Sequence, residues 1–168
     1  MGRGNDRRPG VGVGVLIERH GKILLVRRKH HGTGSWSAPG GYLDLGEELA
    51  DAAKREVREE TALEIEDVRF MAVVNDRFDD GKHNVTVWFA AGQVAGEATV
   101  AATDELSEVG WFAWDALPEP LYSSTRRFLS GESLPAGASV SLRTVIEQAG
   151  AELGAAQDEA APLDTVVV

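Results

Sequence analysis

The sequence predicts a single α/β domain, and three observations carry that expectation. Val11–Glu18, Val68–Asn75 and Asn84–Ala91 are short β-branched or alternating apolar segments of the kind that form strands. Between them, a stretch beginning near Leu49 repeats its apolar residues at helical spacing. With 168 residues, 43% of them hydrophobic, the chain has material for one core and no more.

Taken in order, VGVGVLIE (Val11–Glu18) and KILLVRR (Lys22–Arg28) flank Arg19, His20 and Gly21, so they read as a hairpin. A Gly/Pro-marked loop, SWSAPGGYLDLGE, follows from Ser35 to Glu47 and leads into the helix. The strands Val68–Asn75 and Asn84–Ala91 are joined by RFDDGKH, whose Asp80-Gly81 is a hairpin turn signal. Shorter strand candidates are GEATVAA (Gly96–Ala102) and VGWFAW (Val109–Trp114), followed by a turn or short helix at Asp115–Leu117 and a helix around Tyr122–Leu129. The last of these elements ends near Leu129. Beyond it, Leu142, Val145, Ile146, Ala149 and Leu153 recur at helical spacing. They predict a C-terminal helix within 133–156, docked on the domain or on a second subunit to give a homodimer. The tail 157–168 is expected to be disordered.

Composition excludes several functions. The formal net charge is −10, which opposes a broad nucleic-acid surface because such binding depends on neutralising phosphates. A small phosphorylated substrate remains compatible, since bound divalent cations invert the local charge. With no cysteine there is no disulfide, cysteine-based zinc site or thiol catalysis. No run reaches the ~18 apolar residues of a membrane span, and MGRGNDRRPG lacks the apolar stretch of a signal peptide, so a cytoplasmic location is expected.

The helix carries the chemistry. At ~100° per residue, Ala52, Ala53 and Val57 share an apolar stripe with Leu49, yet Glu56 and Glu60 fall inside that stripe and Glu59 at its edge. Asp51, Lys54 and Arg58 occupy the far side, where a solvated face belongs. Carboxylates at these spacings have Cβ atoms ~5–6 Å apart, and two unit charges ~4 Å apart at an effective dielectric of ~20 repel by ~4 kcal/mol. A cation between them resolves the conflict. Hard oxygen donors suit Mg²⁺, with Mn²⁺ able to replace it. The alternative is a charged surface helix, but the preceding loop, with Pro39, Gly40, Gly41 and Gly46, is built for close backbone approach to a ligand.

Gly41, Glu47, Arg55, Glu56, Val57, Glu59, Glu60 and Leu63 stand at the spacing of the Nudix box, and the chain resembles the Nudix hydrolase family on these positions. Ala62 departs from the box's last glycine, and the resemblance covers approximately residues 9–132, which it implies is the domain. The resemblance implies an α/β/α sandwich with a mixed central sheet and a Mg²⁺-dependent hydrolysis of a nucleoside diphosphate linked to another group. It further implies that Glu56, Glu59 and Glu60, with the carbonyl of Gly40, hold the metal and form the catalytic set, that Arg55 orients them and that Glu47 supports the loop. Which glutamate is the base stays open. Family members commonly supply a further acid before an aromatic strand, which points to Glu105, with Glu108 competing.

For the substrate, Arg27 and Arg28 end a strand beside the loop, where a guanidinium forks onto phosphate oxygens. Trp36, Phe78 and Trp111 offer stacking faces for a base, with core packing as their alternative role. Ser37 and Thr86 offer hydroxyls to base edges. His30 and His31 have no third metal-binding partner nearby in sequence. SAPGGYLDLGE and the run from Glu59 to Phe89 are similar to a MutT-like Nudix subgroup of nucleoside triphosphate diphosphatases that act on deoxyguanosine triphosphates and their modified forms, which implies a nucleotide-sanitising role. The proline that ADP-ribose hydrolases carry past the box is missing, since none lies between Gly40 and Leu117, and the SQPWPFPxS run of NADH hydrolases is absent. ADP-ribose or nucleotide-sugar hydrolysis, or nucleotide sensing without turnover, are the alternatives. A calcium-binding protein is disfavoured because the acids lack EF-hand spacing.

Overall fold

The computed structural model describes residues 8–132. The strands are β1 (Gly10–Leu16), β2 (Glu18–Arg19), β3 (Lys22–Arg28), β4 (Trp36–Ser37), β5 (Glu64–Ile65), β6 (Val68–Arg77), β7 (His83–Ala91), β8 (Val94–Ala95) and β9 (Leu106–Ala113). The helices are α1 (Leu49–Thr61) and α2 (Ser123–Leu129). A mixed sheet has the order β1-β7-β6, with β1 parallel to β7 and β6 antiparallel to it. In a second sheet β3 pairs along its length with β9 and, at its two ends, with β2 and β4. A small third pair joins β5 to β8.

The alternation of β1 decides the layering. Its valines face α1, so Val13 and Val15 pack with Ala52, Ala53, Val57, Val87 and Phe89. The opposite face carries Leu16, Trp88 and Val74 and receives α2, whose Phe128 stacks flat on Trp88 with ring centroids 4.0 Å apart. Helices therefore cover both faces of the mixed sheet, which is the α/β/α sandwich. Among the described residues no helix is long and apolar enough to cross a membrane.

Three sequence expectations need correction or fall outside the described residues. Val11–Leu16 does not pair with β3: the hairpin is confined to Glu18–Arg19 against Lys22–Ile23, while β1 runs parallel to β7 from the pair Gly10 and Asn84 onward. Alternation fixes the two faces of a strand but not its neighbour, and β1 takes the edge of the mixed sheet beside β7. GEATVAA forms no strand either, because pairing ends with β8. Its amides serve the C-terminal carbonyls of α1 instead, Thr99 N–H donating to Thr61 O at 2.9 Å and Ala101 N–H to Glu60 O at 3.1 Å. The C-terminal helix and tail expected beyond 132 lie outside the described residues. The hairpin at Asp80-Gly81 and the helix at Tyr122–Leu129 agree with β6–β7 and α2.

Helix α1 ends in the left-handed residue Ala62, at φ 59° and ψ 13°, whose N–H donates to Arg58 O. An L side chain pays ~1–2 kcal/mol in that region, partly offset by the lower unfolded-state entropy of alanine relative to glycine. Ala62→Gly is therefore expected to stabilise the domain by ~0.5–1 kcal/mol. Urea unfolding measures it, and an unchanged or lower midpoint contradicts the strained cap.

Candidate active site

The loop before α1 is held against the free edge of β1. Val13 N–H donates to Gly41 O at 2.8 Å, Val15 N–H to Pro39 O at 2.9 Å and Leu43 N–H to Val11 O at 3.0 Å. Two glycines make this approach feasible. A Cβ on Gly40, at φ +152°, would lie 2.1 Å from Val13 O, and one on Gly41 would lie 2.4 Å from Glu56 Oε1. The loop therefore wedges its backbone between β1 and the acidic face of α1.

Burial along α1 follows the helical pattern of its sequence. Glu60 is 5% exposed and Val57, Ala52 and Ala53 are fully buried. The Glu56 side chain is 14% exposed and that of Glu59 53%. Arg55 spans the acids: Nε and Nη2 donate to the two Glu47 oxygens at 2.8 and 2.9 Å, and Nη1 donates to Glu56 at 2.8 Å and Glu59 at 3.1 Å. Nη2 also donates to Tyr42 O at 3.0 Å, tying the loop to the helix. The hydrogen bond from Arg55 holds Glu47 below the usual carboxylate range. Arg55, bonded first to Glu47 and then to Glu56, is fixed more firmly as a cation.

Glu60 receives no such bond. Its Oε2 accepts from Gly40 N–H at 3.0 Å. Burial pushes its carboxyl up to about 8, the Gly40 amide opposing and the charge of Glu56 adding to the rise, with smaller contributions of opposite sign from Arg28 and Glu105. Burial likewise raises Glu56, against the pull of Arg55. Among the described residues no three acidic or histidine side chains already converge as a metal-binding group, and Arg55 holds Glu56 and Glu59. The donor set nevertheless fits a hard divalent cation: hard oxygens, a buried Glu60 repelled by a partly buried Glu56, and no cationic hydrogen-bond partner on Glu60.

A pocket of about 150 Å³ opens beside Gly40 and Gly41. That is below the ~300–1,000 Å³ that encloses a whole drug-sized ligand, so it suits one ring system of a larger molecule. Its floor is the glycine face of β1, where Gly12 and Gly14 stand opposite Thr86 and Trp88 of β7. Ser37, Ser124 and Thr125 add hydroxyls, and Arg28, Phe78 and Tyr122 also line it. Phe78 stacks on Tyr122 with centroids 5.7 Å apart, and the Arg28 guanidinium lies 4.7 Å from the Tyr122 ring centroid.

The structure thus brings Arg28, Ser37, Phe78 and Thr86 to one pocket. Trp36 it does not: the ring is buried beside Ile23 and Leu25 and edge-on to Phe112, away from the pocket walls. Core packing is also the place of Trp111, which packs against the valine-side cluster. Arg27 turns away to pair with Glu108 at 2.5 Å. That pairing separates the two competing acids. Glu105 is exposed but close enough to raise both Glu56 and Glu60, whereas Glu108 is held by Arg27. Sequence reasoning missed Tyr122, Ser124 and Thr125. The run Tyr122-Ser-Ser-Thr at the start of a short helix was the available signal, but it reads equally as an ordinary helix entrance.

The NUDIX domain pattern matches residues 6–130. The chain belongs to the Nudix hydrolase family. Its relatives differ in the substrates their names carry. The NAD-capped RNA hydrolase NudC of Pseudomonas aeruginosa is 34% identical over 116 residues, 68% of this chain and 40% of that protein. The ADP-ribose pyrophosphatase of Methanocaldococcus jannaschii is 32% identical over 113 residues, 66% of each chain. Among solved structures, the MutT NUDIX hydrolase from Burkholderia pseudomallei is 36% identical with a TM-score of 0.70, covering 77% of this chain and all of that one. This Nudix chain therefore spans about two-fifths of the length of the NudC proteins it matches.

Proposed function

We propose that this Nudix protein hydrolyses a nucleoside triphosphate, a guanine or modified-guanine deoxynucleotide, to the monophosphate and pyrophosphate. The observation that carries the reading is a ring-sized, hydroxyl-walled pocket opening at Gly40 and Gly41, the glycines that also abut Glu60 and Glu56. A base seated there directs its phosphates toward the acids. Arg28 lines the pocket and its charge is felt at Glu60, which supports its pairing with those phosphates. Glu56, Glu59 and Glu60, with the Gly40 carbonyl, would hold Mg²⁺ or Mn²⁺. When bound, the cation polarises phosphoryl oxygens and lowers the pKa of water. Arg55 keeps the acids in register through Glu47, Glu56 and Glu59. The proton of the attacking water goes to a carboxylate of the set Glu56, Glu59, Glu60 and Glu105.

A turnover panel of canonical and oxidised nucleoside triphosphates, ADP-ribose and nucleotide sugars tests the reading. A guanine deoxynucleotide is expected to give the highest kcat/KM, with monophosphate and pyrophosphate as products. Orthophosphate released with a nucleoside diphosphate would refute the regiochemistry. ADP-ribose as the preferred substrate would favour the second reading, which the Methanocaldococcus jannaschii relative supports. The NudC relatives make an NAD-linked pyrophosphate the natural addition to the panel. A binding-only role is opposed by the complete acidic set of the box.

A further inference from the structure

Asp76 is a fully buried acid that the proposed chemistry does not use. It lies on β6, diagonal to Thr86, and its two oxygens are committed to different partners. Oδ1 accepts from Arg127 Nη2 at 2.7 Å. Oδ2 accepts from Thr86 Oγ1 at 2.6 Å and from Ser124 Oγ at 2.9 Å. Both hydroxyls line the pocket while Asp76 stands behind them. A carboxylate paired with a guanidinium only accepts, and a hydroxyl has one proton. Thr86 and Ser124 therefore both direct their single O–H at Asp76, and what they turn toward the pocket is lone pairs. Because they share one carboxylate oxygen, the two acceptors stand side by side.

We infer that Asp76 sets the polarity of the pocket floor, fixing Thr86 and Ser124 as adjacent acceptors that select a heterocycle presenting neighbouring N–H donors. This rests on reading the pocket as the base subsite. It also gives that reading a physical basis, because the guanine edge that carries N1–H and the 2-amino group is such a donor pair. Adenine places an acceptor, N1, beside its amino group, and hypoxanthine keeps N1–H but lacks the second donor. Asp76 is a positioning residue that acts through the two hydroxyls.

The same geometry predicts what an isosteric change does. In Asp76→Asn, Arg127 still requires an acceptor, so the amide oxygen takes the Oδ1 position and the NH₂ faces Thr86 and Ser124. The amide now donates to the hydroxyls, and their protons turn to the pocket. The floor changes from acceptor to donor with no change in shape.

The test is calorimetric binding of dGMP and dIMP to the full chain, since these differ by the 2-amino group alone and contain no pyrophosphate to hydrolyse. The wild type is expected to bind dGMP about tenfold more tightly, the scale of one hydrogen bond whose loss leaves an acceptor unpaired. In Asp76→Asn the ratio is expected to fall to about one or to reverse. Ser124→Ala, which removes one acceptor and is mild to the fold, is expected to reduce the ratio too, and it decides the matter if Asp76→Asn does not fold. A purely structural role for Asp76 would weaken both ligands equally and keep the ratio. Equal binding of dGMP and dIMP by the wild type, binding of neither, or an unaltered ratio in folded variants would overturn the inference. Failure of triphosphate turnover, measured separately, would remove the proposed activity while leaving this binding comparison intact.

Discussion

Glu60→Gln is expected to lower Mg²⁺-dependent turnover by on the order of 10²–10³-fold while making the metal-free protein more stable. The variant keeps the side-chain size and an acceptor for the Gly40 amide, so the fold has no reason to change. What it removes is a buried anion beside Glu56. The stability effect has a defined sign: folding raises the Glu60 carboxyl from its ordinary 4.5 to about 8, chiefly by burial. The contribution of such a group is fully present below its unfolded pKa and is lost as pH rises through the folded one. Metal-free wild type is therefore expected to lose stability between pH 5 and 9, by an amount on the order of 4 kcal/mol, whereas Gln has no proton to lose. Denaturant unfolding with chelator at both ends of that range measures the gap between the two proteins. A gap that does not widen with pH contradicts the buried charge, and near-normal turnover contradicts the catalytic assignment. Glu56→Gln and Glu59→Gln are expected to impair turnover similarly. Arg58→Gln, on the exposed face of α1, should be close to silent.

Gly40→Ala is expected to cost more stability than any other single methyl added to the loop, at least ~4 kcal/mol. The new Cβ would sit 2.1 Å from Val13 O, with Gly40 at φ +152°, a conformation that L side chains rarely adopt. Relief requires the loop to leave β1, and that breaks the amide bonds of Val13 and Val15 to Gly41 O and Pro39 O, together with the Gly40 bond to Glu60. Gly46→Ala is the control. Gly46 also has a positive φ, +84°, but nothing lies within 4 Å of its Cβ position, so only local strain of ~1–2 kcal/mol remains. Thermal unfolding of the pair separates collision from strain, and comparable midpoints would show that the loop is not wedged as described.

Two local signals agree with the structure because each is carried by a single element. The period of α1 placed Glu56 and Glu60 among apolar residues, and Glu60 is buried at 5% exposure beside fully buried Val57, Ala52 and Ala53. Asp80-Gly81 closed the β6–β7 hairpin for the same reason, because turn chemistry is local. The choice between Glu105 and Glu108 was of another kind. Both lie near the start of the same aromatic strand, and only the pairing of β3 with β9 shows that Arg27 takes Glu108.

The pocket belongs wholly to tertiary structure. Gly-Val alternation determined that β1 has a bare face and an apolar face, but only the parallel pairing with β7 set Gly12 against Thr86 and Gly14 against Trp88 to make that bare face a floor. Trp36 has the same aromatic character as Phe78, yet one is buried against Phe112 and the other stacks on Tyr122 in the pocket wall. The acidic helix and its glycine loop were therefore determined by the sequence itself, since backbone geometry and helical period act within a few residues. The acceptor pair on the pocket floor was decided by the fold, because the proton orientation of Thr86 and Ser124 depends on Asp76, which reaches Ser124 across 48 positions of the chain, and an inventory of residues does not specify which hydroxyl meets which carboxylate.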